Sequence, residues 1–136
     1  MSFQIEGGCS CGSCRFSTPN EAIYQLLCYC TDCQTISGST SYTAYVVPLV
    51  SVAITKGVPT KYVVDADSGG TNARMFCPDC GTRLYAELEE LGFASVDAMA
   101  LDDPLHYRPT LNHYTKSAPD WCQVNAKLDE LPLIPR

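Results

Sequence analysis

Apolar and polar positions follow one another in short runs along this chain. Alternation, or enrichment in β-branched and aromatic residues, marks segments 3–6, 14–18, 23–28, 41–47, 52–55, 61–65, 73–76, 83–87, 95–100 and 111–114. A two-residue period puts successive side chains on opposite faces, as a half-buried strand requires. Turn chemistry separates the runs: Gly7-Gly8, Pro19-Asn20, Lys56-Gly57, Asp67 to Gly70 and Asp102-Asp103-Pro104, with Pro48 and Pro59 punctuating the middle. Helical signals are brief. Thr31–Ser37 predicts one or two turns, with Thr31 or Asp32 as N-cap and Gly38 ending them. A further turn is predicted over 120–123 after Pro119, and 87–92 reads as either a helical turn or a loop. Many short strands with regular turns predict a mostly β, antiparallel domain with short helical turns.

Length and charge narrow this picture. The 136 residues are one domain's worth, and no linker or low-complexity tract divides 1–136. Lys and Arg number 9 against 15 Asp and Glu, a net charge of −6 without a basic run, which argues against nucleic acid as a partner. The longest apolar run, 44–50, is far short of the roughly 20 residues of a membrane span, so no membrane association is expected. The opening Met1 to Glu6 has neither a basic start nor an apolar stretch, so no signal peptide is expected and the cytoplasm is the expected compartment. A homo-oligomer is compatible with all of this.

Nine cysteines are the chemical outlier, and an odd number cannot all pair within one chain. In a reducing compartment, clustered cysteines point to metal ligands. Three clusters hold eight of them: Cys9, Cys11 and Cys14; Cys28, Cys30 and Cys33; and Cys77-Pro78-Asp79-Cys80-Gly81. The last is a zinc-knuckle turn, in which Pro78 fixes the entering backbone and Gly81 permits a tight bend. It supplies two thiolates, and a tetrahedral zinc ion needs two more. The first two clusters share one spacing, so spacing does not choose between them. Context does: Cys9 and Cys11 sit among glycines, whereas Cys14 opens a strand-like run and suits a small apolar position. Cys9, Cys11, Cys77 and Cys80 are therefore expected to form a closed four-thiolate site. That leaves Cys28, Cys30 and Cys33. Three protein ligands with one exchangeable position mark a catalytic zinc, and four protein ligands a structural one. The residues leave open whether Cys14, Cys122, His106 or His113 closes the second site.

Gly7 to Phe16 with its three cysteines, Cys28-Tyr29-Cys30-Thr31-Asp32-Cys33 followed by Ser37-Gly38-Ser39, and Phe76 to Gly81 together resemble the glutathione-dependent formaldehyde-activating enzyme family. Centromere protein V-like proteins share that domain. Leu101-Asp102-Asp103-Pro104, His113 and Pro119-Asp120-Trp121 are also similar to its C-terminal part. The resemblance implies a β-tent fold with two zinc ions. Cys9, Cys11, Cys77 and Cys80 match the structural ligands, and Cys28, Cys30 and Cys33 the catalytic ones. It implies a carbon–sulfur lyase akin to an S-(hydroxymethyl)glutathione synthase, joining glutathione to a small aldehyde such as formaldehyde. Two positions depart from the family pattern: Tyr29 stands where His is frequent, and Gln34 where a basic residue is frequent.

A zinc ion with three thiolates is electron-rich, better suited to holding an incoming thiol as thiolate than to generating hydroxide. Ser37, Gly38 and Ser39 lie beside the three-cysteine cluster and are the expected substrate contacts. Glutathione carries two carboxylates, for which Arg15, Arg74, Arg83 and Arg108 are candidate partners. His106 and His113 are expected at structural or surface positions, Trp121 in the core, and Cys14 and Cys122 as buried free thiols. The alternative to an enzyme is a non-catalytic zinc-binding interaction module of the same fold. A zinc deaminase is disfavoured, because neither His106-Tyr107-Arg108 nor His113-Tyr114-Thr115 supplies the acid of an H-x-E motif.

Overall fold

The structure, a computed structural model, describes residues 4–66 and 69–131. Among the described residues there are eleven strands and one α-helix, and all the strands but β11 fall on an expected run: β1 Gln4–Gly8, β2 Arg15–Pro19, β3 Tyr24–Cys28, α1 Thr31–Ser37, β4 Tyr42–Pro48, β5 Ala53–Lys56, β6 Thr60–Asp65, β7 Thr71–Phe76, β8 Arg83–Leu88, β9 Phe93–Asp97, β10 Leu111–His113 and β11 Asp129–Glu130. Phe3, and Asp67 and Ser68 of the expected 67–70 turn, lie outside the described residues. One sheet has the order β1-β2-β5, and the other β11-β10-β3-β4-β9-β8-β7-β6. The fold is mostly β, as expected.

One feature departs from the antiparallel expectation. β10 runs parallel to both β3 and β11, with His113 beside Cys28 and Leu111 beside Asp129. The 95–100 segment also divides. β9 stops at Asp97, whose carboxylate accepts from the Met99 amide (3.2 Å) and starts a 3-10 turn over Ala98–Ala100. That local side-chain bond outcompetes strand pairing. Of the two forms expected over 87–92 the helical turn occurs, as a 3-10 turn over Glu89–Leu91 capped by Gly92, after β8 runs on to Leu88.

The larger hydrophobic cluster joins the two sheets: Phe16 of β2 packs with Tyr45, Val47, Leu84, Val96 and Ala98. Gly7 permits this closeness, since a Cβ there would meet the Ala100 carbonyl oxygen and the Phe16 ring. A second cluster, with Leu26, Cys28, Cys33, Tyr42, Ala44 and Val46, lies under α1. The Tyr42 hydroxyl donates to the Ser95 carbonyl (3.1 Å), so its polar end is satisfied inside. Trp121, expected in the core, is instead 74% exposed. It follows Pro119 in a single turn closed by the Cys122 amide on the Pro119 carbonyl (2.9 Å), and that turn holds no strand or helix to carry its ring inward.

Candidate metal centres

The first centre is built by two loops. The turn between β1 and β2 carries Cys9 and Cys11, and the turn between β7 and β8 carries Cys77 and Cys80. Their four sulfurs all lie within 4.8 Å of one another. Four sulfurs about 2.3 Å from one ion would stand about 3.8 Å apart. Cys9 and Cys11 are separated by 3.6 Å, and Cys11 and Cys77 by 3.8 Å. The donor set and spacing thus fit one tetrahedral ion.

Backbone amides and hydroxyls already point at these sulfurs. The Cys14 amide donates to Cys9 Sγ (3.2 Å) and the Asp79 amide to Cys77 Sγ (3.4 Å). Ser13 Oγ lies 3.0 Å from Cys11 Sγ and 3.3 Å from Cys77 Sγ, and Thr82 Oγ1 lies 3.2 Å from Cys80 Sγ. Thr82 also accepts from the Ser10 amide (3.1 Å), tying the two loops together. The hydroxyl and amide of Thr82 pull the Cys80 thiol down to about 5. Burial works to raise Cys9, but the Cys14 amide and the neighbouring Cys11, Cys77 and Ser13 outweigh it and bring it to about 7. Ser13 favours the Cys11 thiolate, yet burial and the adjacent Cys9 and Cys80 raise its pKa overall. Four sulfurs in contact titrate as a set, and a divalent cation is what lets all four ionise. Ser13 and Thr82 were not anticipated as partners of the ligands. Their sequence signal is a repeated triplet, Cys11-Gly12-Ser13 and Cys80-Gly81-Thr82.

Cys14 stays out of this group. It is buried, and burial pushes its thiol up to about 11, so it packs as a small protonated side chain. Cys122 is half-buried rather than buried, because its turn lies beyond β10.

The second centre lies where β3 passes into α1. The sulfurs of Cys28, Cys30 and Cys33 lie within 4.8 Å of one another, and among the described residues no fourth His, Cys, Asp or Glu joins them. His113 lies beside them: it is 2% exposed, with Nδ1 4.0 Å from Cys28 Sγ. His106 is exposed in a 3-10 turn. The helix start differs from expectation. Cys30, and neither Thr31 nor Asp32, is the N-cap, its sulfur accepting from the Cys33 amide (3.2 Å). A sulfur in the place of a capping oxygen holds the cluster and the helix in one geometry. Gln34 Nε2 donates to the Tyr29 carbonyl (2.8 Å) and the Ser117 carbonyl (2.9 Å), so this position joins α1 to the turn after β10. Tyr29 is buried, and its amide donates to the His113 carbonyl (2.9 Å).

Access distinguishes the three sulfurs. Cys28 and Cys33 are fully buried, whereas Cys30 is half-exposed and lines a cavity of about 270 Å³ with Asp32, Asp65, Asn72, Arg74 and Tyr114. Ser37 and Ser39 line a different cavity, of about 320 Å³, with Arg83 and Asp97; Gly38 lines neither and caps α1. Of the other arginines, Arg15 pairs with Asp102, and Arg108 is exposed.

A family model described as the glutathione-dependent formaldehyde-activating enzyme matches residues 4–117. The chain belongs to this family. The seven cysteines of the two centres all lie within the matched residues, while Pro119, Asp120 and Trp121 lie beyond them. A crystal structure of a Rhodobacter sphaeroides protein is similar over 72% of this chain and 88% of its own, at 18% identity and a TM-score of 0.57, a likeness of fold alone. Among curated proteins, none matches the chain. The formaldehyde-activating family thus meets this fold with a four-sulfur and a three-sulfur cluster, both able to hold a metal ion. No helix of the described residues is long and apolar enough to cross a membrane.

Proposed function

We propose that this chain is a zinc-dependent carbon–sulfur lyase-type enzyme that joins a small thiol, glutathione, to a small aldehyde such as formaldehyde. Residues 1–136 form one such domain in this reading, working in the cytoplasm without nucleic-acid or membrane partners. Cys9, Cys11, Cys77 and Cys80 hold a structural zinc ion, and Cys28, Cys30 and Cys33 a catalytic one. Bound by three thiolates, zinc supplies a position at which an incoming thiol is held as its nucleophilic thiolate. The observation that carries the reading is the exposure of Cys30 on a cavity while Cys28 and Cys33 are sealed beneath it. The buried pair and the Cys33 amide on Cys30 Sγ fix the sulfurs, and the cavity gives a ligand an approach to Cys30. The reaction adds S–H across C=O: a sulfur–carbon bond forms, the carbonyl π bond breaks, and the thiol proton ends on oxygen. Holding thiol and aldehyde together in one cavity lowers the entropic part of the barrier. Because Ser37 and Ser39 line the other cavity, the thiol belongs beside Cys30 rather than on the 37–39 segment.

The test follows formaldehyde consumption in the presence of glutathione, above the spontaneous rate. Zinc-loaded protein is expected to accelerate it, and Cys30→Ser to abolish that acceleration. Unchanged acceleration in Cys30→Ser would overturn the reading.

A further inference from the structure

β6 ends the larger sheet. It pairs with β7 on one side, and among the described residues no strand pairs with the other. The remaining outer edges are blunted. Along β1 the Asp102 amide donates to the Glu6 carbonyl (2.9 Å) and Gly7 bridges Leu101. β11 has two residues, and β5 has four, joined to β2 through a register shift. β6 has six residues, no proline and no shift in its register with β7. Tyr62 and Val63 are 59% and 51% exposed. A regular, uncovered edge is a template for another strand.

The hydrogen-bond phase of that edge follows from its hairpin. The Ala66 amide donates to the Gly70 carbonyl (2.8 Å), continuing the register that sets Asp65 opposite Thr71. Bonded and non-bonded pairs alternate in an antiparallel ladder. Thr60, Tyr62 and Val64 therefore direct their backbone groups to β7, and Lys61, Val63 and Asp65 direct theirs outward. An antiparallel copy of β6 centred on Val63 meets this edge in phase and forms about six backbone hydrogen bonds. It also sets Lys61 opposite the partner's Asp65, twice by symmetry, on either side of the two valines. Lys61 keeps Glu87 (3.2 Å) as its neighbour within the chain. Centring the copy on Tyr62 or Val64 would place Lys61 or Asp65 opposite a valine. The self-complementary charges thus select both the occupant and the register.

We propose that β6 is a dimerisation edge, to which a second copy of this chain adds its own β6 antiparallel about a two-fold axis at Val63. On the other face of the strand the partner's Tyr62 then stands opposite Val64. Val64 lines the cavity on which Cys30 opens, so the partner's Tyr62 forms part of the rim of that cavity.

Analytical ultracentrifugation of the zinc-loaded protein, in the presence of a reductant, tests this. One strand pair is a small interface, so half-dimerisation is expected between roughly 1 and 100 μM. Val63→Pro removes an outward N–H and no bond to β7, so it should melt cooperatively and sediment as a monomer. Lys61→Asp and Asp65→Lys should each self-associate at least about tenfold more weakly, because like charges then face each other. An equimolar mixture of those two should recover the dimer, since every facing pair becomes opposite in charge. The mixture decides the matter even if the proline variant fails to fold. A wild-type monomer throughout that range, a folded Val63→Pro that still dimerises, or a mixture that associates no better than its parts would overturn the proposal.

Discussion

Gly57 carries the loop of the first metal centre on its back, and replacing it with alanine tests how tightly sheet and centre are joined. The residue ends β5 with φ +77°, a left-handed conformation that costs an alanine about 1–2 kcal/mol. A Cβ built there overlaps the Ser13 carbonyl oxygen and stands 3.1 Å from its carbon and 3.2 Å from Cys14 Cα. These are backbone atoms and cannot rotate aside, so the loop must move, a strain of about 1–3 kcal/mol more. The sum is about 2–5 kcal/mol. Gly92→Ala is the control: its φ is +70°, but nothing lies within 4 Å of its Cβ, so only the backbone cost applies. At about 4 °C per kcal/mol for a domain of this size, Gly92→Ala should lower Tm by about 4–8 °C and Gly57→Ala by about 8–20 °C. Ser13 also sets its hydroxyl against Cys11 and Cys77, so Gly57→Ala should release metal to a chelator sooner than Gly92→Ala does. Thermal melts and chelator competition on the metal-loaded proteins measure both effects. Equal melting temperatures for the two variants would refute the steric argument, and a large melting shift with unaltered metal retention would refute the coupling.

Four further outcomes are expected. The double substitution Cys77→Ser/Cys80→Ser should abolish the cooperative unfolding transition, because structural zinc contributes about 10–16 kcal/mol in small peptides and whole domains are stable by only about 5–15; a soluble, cooperatively melting double variant would contradict it. Ser13→Ala should weaken metal retention about 10- to 100-fold in chelator competition, as loss of an outer-sphere partner does, with retention unchanged if the hydroxyl is idle. Cys30→Ser should keep its melting temperature within a few degrees while losing thiol binding, since a serine hydroxyl also caps a helix; Cys30→Ala should melt lower than Cys30→Ser. Asp102 is held below its ordinary pKa by the Arg15 guanidinium, so the pair stabilises the fold above the usual carboxylate range and is lost as pH falls through the lowered value. With Asp102 half-exposed, Asp102→Asn should cost no more than about 1 kcal/mol at pH 7, and the gap to wild type in pH-dependent melts should close in acid.

The strands and the partition of the cysteines were legible because each rests on local information. Alternation fixed β2, β3, β4, β7 and β8 to within a residue or two, and the knuckle at Cys77 with the glycine setting of Cys9 and Cys11 marked one four-sulfur group. Long-range matters were not legible. The parallel pairing of β10 with β3, which sets His113 beside Cys28, depends on the path of the chain from 98 to 110. Arg74 was one of four candidate arginines, and only β7 packing shows that it shares a cavity with Cys30 while Arg15 is taken up by Asp102. Ser37 and Ser39 are near Cys33 in sequence, yet the helix between them turns the serines toward another cavity. Cys30 as N-cap was hidden because sulfur is a rare occupant of a position that Thr31 and Asp32 fit better by type.

The central claim is one closed and one open thiolate centre, and cobalt substitution reads it directly. Two Co²⁺ per chain are expected, each with sulfur-to-metal charge-transfer absorption. Reduced glutathione should then raise that absorption saturably, by the increment of one added thiolate, and Cys30→Ser should remove the rise; oxidised glutathione should leave the spectrum unchanged. A spectrum already showing four thiolates on both ions, or one that reduced glutathione does not alter, would contradict the account.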